Sequence, residues 1–248
     1  MRTTTRARIA SIAVAVVAAG ALSGAPPAGG APDRVEPRAK PPKNVLALTF
    51  EPDSVLYRVR TRTGKSTEIG ATGAQLTDVA RRGKKLYAIG FGTLYELDTE
   101  TGESTRVGSL GVSDANALTM RPKNRRLYGA SIGGWLFRID HETGATTVIG
   151  EFGRSLGSSG DLAFRKGRLY ATVSRNGRAK TLLAKVNVRT GKAKVVGKTG
   201  FKNVYGLVAA KGRLFGGAYN GKLIAISAKT GKGRRISSTD LEIGGMTK

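Results

Sequence analysis

The chain has 248 residues, with 42 Lys+Arg against 17 Asp+Glu and a formal net charge of +25. Its 40% hydrophobic content is enough for a packed core and excludes a disordered polymer. With no cysteine there are no disulfides, thiolate metal sites or lipid-modified N-terminal Cys; a single histidine, His141, excludes His-rich metal clusters and argues against Ser-His-Asp catalysis.

The chain opens with "MRTTTRARIASIAVAVVAAGALSGA", in which Arg2, Arg6 and Arg8 precede an apolar run over residues 9–22. That run of 14 residues is too short for a membrane-spanning helix and fits the apolar region of a secretory signal peptide. The alternative is an uncleaved N-terminal anchor. Residues 1–25 are therefore expected to be removed, giving a secreted or cell-envelope protein with no transmembrane span in the mature chain. They carry three positive charges and no negative ones, so the mature charge stays near +22. Residues 26–43, "PPAGGAPDRVEPRAKPPK", lack hydrophobic periodicity and predict a disordered Pro/Gly-rich leader.

From residue 44 the chain repeats. The dipeptide Thr-Gly recurs at Gly64, Gly102, Gly144, Gly191 and Gly231, at intervals of 38, 42, 47 and 40 residues. Three hydrophobic registers accompany it. Eight residues before each glycine stand Leu56, Leu94, Leu136, Leu183 and Leu223; five before, Val59, Leu97, Ile139, Val186 and Ile226; five after, Ile69, Val107, Ile149, Val196 and Ile236. In chain order each of the last four copies presents an apolar run ("LTDVA", "NALTM", "DLAFR", "YGLVAA") and an aromatic strand ("KKLYAIG", "RRLYGAS", "GRLYATV", "GRLFGGA"). The Thr-Gly strand and a short "TRVG"-type strand follow. Four short strands in about 40 residues is the period of a propeller blade.

The first copy, from "NVLALTF" to "STEIG", lacks the upstream run, and "STDLEIGGMTK" follows the fifth copy with no repeat left to begin. A ring leaves no open edge if that last strand joins the first blade. The expected fold over 44–248 is thus all-β: a five-bladed β-propeller of four-stranded antiparallel blades, closed by the C-terminal strand. An incomplete ring, or four blades with an extra sheet, is the alternative.

The line "LYELDTETG" and its sisters resemble the repeats of secreted bacterial β-propellers of the quinoprotein-like and WD-repeat-like superfamily. Quinoprotein repeats carry a docking tryptophan after Thr-Gly, whereas this chain has "STRVG" or "TTVIG" there, and its one tryptophan, Trp135, precedes a Thr-Gly strand. The resemblance therefore implies an architecture without the quinone cofactor, and no cofactor is expected.

Few residues point to chemistry. Arg60, Asp98, Asp140, Asn187 and Ser227 stand four before each Thr-Gly glycine, the place where a turn side chain accepts a backbone N–H, so the acids of "LDTETGE" read as a hairpin corner. Tyr87, Tyr128, Tyr170 and Phe215 share one register and read as packing between blades. A small ligand is expected at the channel mouth, near Asp78, Asn116, Asp161, Asn203 and Glu242 at the starts of the innermost strands. No metal site is expected.

Charge is the strongest remaining signal. The turns after the innermost strands carry Arg165, Lys166 and Arg168, then Lys211 and Arg213, with similar basic turns in the two preceding copies. They should share a face with the Thr-Gly turns, which are basic in copies one, four and five. Those turns hold Arg60, Arg62 and Lys65; Arg189, Lys192 and Lys194; and Lys229, Lys232, Arg234 and Arg235. Since copy five adjoins copy one in a ring, these form a crescent, while Asp98, Glu100, Glu103, Asp140 and Glu142 make the remaining arc acidic. The expected function is non-enzymatic binding, by a monomer, to an anionic polymer or cell-surface component, without sequence-specific nucleic-acid recognition. The rival is a hydrolase or lyase with paired carboxylates at the channel mouth.

Overall fold

The computed structural model describes residues 40–248. The signal peptide and leader residues 26–39 expected from the sequence lie outside the described residues. Blade one holds β1 (Asn44–Thr49), β2 (Val55–Arg60) and β3 (Ser66–Ala71). Blade two is β4 (Asp78–Arg82), β5 (Lys85–Gly90), β6 (Thr93–Leu97) and β7 (Ser104–Ser109). Blade three is β8 (Ala115–Arg121), β9 (Arg126–Ser131), β10 (Trp135–Ile139) and β11 (Thr146–Glu151). Blade four is β12 (Leu156–Arg165), β13 (Arg168–Arg175), β14 (Lys180–Val186) and β15 (Ala193–Lys202). Blade five is β16 (Val204–Ala210), β17 (Arg213–Ala218), β18 (Lys222–Ile226) and β19 (Gly233–Ser238), after which β20 (Ile243–Thr247) completes the set.

The strand β20 pairs antiparallel with β1, placing Leu46 opposite Thr247 and Ala47 opposite Met246, so blade one has the order β20-β1-β2-β3. The five-bladed ring and its closure are those expected from the two chain ends. Strands β20, β4, β8, β12 and β16 contact one another in sequence around the axis. Each runs from what we term the upper end to the lower end. The chain is tied in slightly before β1: Thr61 Oγ1 donates to the Pro42 carbonyl and Thr61 N–H to that of Lys43 at 3.2 Å.

Burial explains why these segments are strands. Innermost and second strands are covered on both faces, as in the run from Val45 to Thr49, whereas outermost strands such as β3 are half-buried or exposed throughout. There is accordingly no single core. Five hydrophobic clusters each lie between two adjacent blades: Leu48, Leu56 and Leu86 between blades one and two, Leu94, Leu118 and Phe137 between two and three. The others join three to four, four to five and five to one. The aromatic register packs there as expected: Tyr128 meets Phe164 of the next blade edge-to-face at 5.4 Å.

The Thr-Gly corners also join blades. In each, Thr Oγ1 accepts the N–H two residues on, for example Glu103 to Thr101 and Lys192 to Thr190, which gives the threonine a role at the turn and not merely on a strand edge. Asp98 Oδ1 accepts from Glu100 at 2.7 Å and Thr101 at 2.9 Å; these backbone donors hold its carboxyl below the usual carboxylate range. The glycine has φ near +80°, and at Gly144 (φ +80°) an added Cβ would lie 2.9 Å from the Gly108 carbonyl of blade two. The glycines these corners dock on, Gly70, Gly108, Gly150 and Gly197, sit within the outer strands β3, β7, β11 and β15.

A channel plugged by carboxyls, with a cavity above and a basic face below

The innermost strands set side chains in layers along the axis. Asp78, Ala117, Asp161, Gly206 and Gly245 each precede the residue whose N–H meets a carboxyl at the waist, and they form one layer. A strand edge facing an axis has N–H groups with no neighbouring strand to accept them, and burial makes each costly unless paired. Asp78 accepts from Val79 at 2.8 Å, from Leu118 at 2.6 Å and from Met246. Asp161 accepts from Leu162 at 2.5 Å and from Leu207. Two side chains thus satisfy N–H groups from all five blades. They fit because small residues complete the layer: a Cβ on Gly245 would lie 2.6 Å from Asp78 Oδ1.

The two carboxyls also hydrogen-bond to each other and are 0% and 1% exposed. A bond between carboxyls requires a proton. Burial and the adjacent like charge hold the pair's proton well above the ordinary carboxylate range. The pair shares that proton, and Asp78 accepts three backbone donors against two for Asp161. All four of their oxygens accept a backbone N–H or face the other carboxyl. Among the described residues no group of three or more His, Cys, Asp or Glu could hold a metal ion.

The five candidate mouth residues do not form one ring. Asn116 stands one position above the Asp layer, and Asn203 and Glu242 three above it, so the structure spreads them over three levels. Asp78 and Asp161 plug the waist; Asn116 and Asn203 line a cavity of about 210 Å³ at the upper end; Glu242 is exposed and accepts from the Tyr219 hydroxyl. Phe50, Phe91, Ile132 and Tyr205 form apolar wall there. Sequence reasoning missed these residues, and for blade four's share of the wall the signal was an irregularity: the interval of 47 residues between Gly144 and Gly191. The added residues lengthen the first three strands of blade four, β12, β13 and β14 reaching ten, eight and seven residues, and bring Ser158, Ser159, Ser174 and Arg178 around the cavity.

The lower end carries the basic turns. Arg60, Arg62, Lys65, Lys166, Arg168, Arg189, Lys192 and Lys194 are exposed, as are Lys211, Lys229, Lys232, Arg234 and Arg235. Arg165 and Arg213 are half-buried, and Arg165 Nε donates to the Gly212 carbonyl of the next blade at 2.6 Å. Two ion pairs lie on the acidic arc, Lys85–Glu96 at 2.8 Å and His141–Glu142 at 3.7 Å, with His141 edge-on to Tyr87. No helix among the described residues is long and apolar enough to cross a membrane.

With this geometry in hand, comparison with known proteins is informative about the repeat. Residues 90–246, more than half of the chain, match the family described as a repeat of unknown function (DUF6923). The chain belongs to this family. The matched span covers blade two from the end of β5 through blade five and into β20. No curated protein sequence matches the chain. Among solved structures, a chain of the Nidogen/Laminin complex is similar at 11% identity and a TM-score of 0.54, over 82% of this chain and 84% of that one. A structural-genomics protein of unknown function from Bacteroides thetaiotaomicron is similar at 16% identity and a TM-score of 0.52, over 78% of this chain and 56% of that one. At such identities the likeness concerns the fold alone.

Proposed function

We propose that this repeat protein is a secreted, non-enzymatic binding propeller whose lower face adheres to an anionic polymer of the cell envelope or its surroundings. The observation that carries this is the contiguity of the exposed basic Thr-Gly turns of blades four, five and one, on the same end as the basic turns of the innermost strands. Long polymers with regularly spaced phosphates or carboxylates meet such a crescent by charge alone, with no base or sugar readout. The N-terminal segment, read as a signal peptide, would deliver the protein to a compartment where such polymers are abundant.

The test is binding to a random-sequence DNA duplex, used as a phosphate polymer of known charge spacing, over a salt series. Log affinity should fall linearly with log salt, with slope about −0.9 for each phosphate neutralised. Reversing Arg189, Lys192 and Lys194 to Glu should flatten that slope by about 2–3. Equal flattening from reversing Lys84, Lys123 and Arg126, which lie in blades two and three, would show that net charge and not the crescent is responsible. Polyphosphate and polyglucuronate in the same assay separate phosphate from carboxylate preference.

A further inference from the structure

Two residues lining the upper cavity each carry a buried polar atom without a partner, Asn116 Oδ1 and Ser158 Oγ. Asn116 spends its Nδ2 on the Ser158 carbonyl at 3.3 Å, and Ser158 as a residue is 4% exposed. Both line the cavity. Buried polar atoms are almost always paired, so two orphans in one concavity indicate that something else supplies their bonds. The amide oxygen only accepts, whereas the hydroxyl both donates and accepts. A group satisfies both if it donates to the amide oxygen and either donates to or accepts from the hydroxyl, as a hydroxyl does.

The rest of the wall narrows the class. Phe50 and Tyr205 meet at 6.3 Å and 55°, and Tyr205 and Tyr219 at 5.9 Å and 63°, with Tyr219 fixed through its hydroxyl by Glu242. Rings tilted against each other present single faces and no parallel slot for a planar base. A cavity of about 210 Å³ is smaller than pockets that take drug-sized ligands, ~300–1,000 Å³, and admits one ring. Blade four departs from the repeat on the opposite side, where its longer strands supply Ser158, Ser159, Ser174 and Arg178, a departure that closing the propeller does not require.

We propose that the upper mouth binds a single pyranose ring, its hydroxyls on Asn116 and Ser158 and its apolar face against Phe50 and Tyr205. The mouth lies at the opposite end from the basic turns, and the site is independent of them.

The full chain is titrated with the methyl pyranosides of glucose, galactose, mannose and N-acetylglucosamine, with adenosine as planar comparator, by saturation-transfer NMR. At least one pyranoside should bind with Kd on the order of 1 mM. Ser158→Ala and Asn116→Leu should each weaken it about 3- to 10-fold, the loss of one hydrogen bond. Ser158→Ala removes an unsatisfied atom, so its Tm without sugar should equal or exceed that of the wild type while its affinity falls. That opposition separates a ligand contact from a structural one. Tyr205→Ala should weaken binding and leave the DNA salt slope unchanged. The proposal is overturned if no pyranoside binds at about 50 mM, if adenosine binds more tightly than every sugar, or if Ser158→Ala binds as the wild type does.

Discussion

At the scale of single residues the consequential group is the Asp78–Asp161 pair, which holds a proton that solvated carboxyls would have lost. The folded pair keeps that proton above the ordinary carboxylate range, while the unfolded chain releases it near pH 4. Folded protein therefore binds more protons than unfolded as pH rises from about 4, and the pair's contribution to stability is full below that point. It declines as pH rises through the folded value, by up to about 1.4 kcal/mol per pH unit. In Asp161→Asn the amide N–H replaces the shared proton, one backbone N–H loses its acceptor, and Asp78 alone is left to titrate, without a carboxyl beside it. The variant should cost stability at pH 4 and recover relative to wild type by pH 8, measured by urea unfolding across that range. A constant difference at every pH would refute the shared proton.

Among the elements, the corner and the outer strand it docks on carry the largest predictable penalty. Gly144→Ala must adopt φ +80° and also push its methyl into the Gly108 carbonyl at 2.9 Å. Gly111→Ala, in a connecting loop at φ +67° with nothing within 4 Å, incurs the backbone strain alone. We expect about 1–3 kcal/mol for Gly111→Ala and clearly more for Gly144→Ala, read from denaturant midpoints. Much of this level was legible in the sequence, because repetition averages out local ambiguity: five copies of Leu-x-x-hydrophobic around Thr-Gly fix strand, corner and face together. What repeats of a kind do not reveal is depth along the axis. Asp78, Asn116 and Glu242 resemble one another as polar residues near strand starts. One, three or no steps of displacement along β8 and β20 then send one to a buried layer, one to a cavity and one to solvent. Nor does a repeat announce its own exceptions, and blade four's share of the cavity wall was written in the excess length of the fourth copy.

For the whole molecule, the ring has one seam between strands distant in sequence. Every other blade is a local meander, whereas β20 and β1 bring Met246 to Ala47. Deleting residues 243–248 would strip blade one of its inner strand, withdraw the Met246 donor from Asp78 and expose the edge of β1. The truncated protein should lose its single cooperative transition and unfold blade by blade, seen as non-coincident circular dichroism and tyrosine fluorescence curves.

The carboxyl layer has a consequence beyond holding strands together. A ring whose axis is filled at the waist is not a conduit, and neither solvent nor solute passes between its ends. The two ends also share no side chain, since each innermost strand turns from one environment to the other at that layer. The proposed occupants of the upper mouth and of the lower face would therefore not compete for the same side chains. If both proposals hold, one molecule carries both partners at once, with the thickness of the propeller between them.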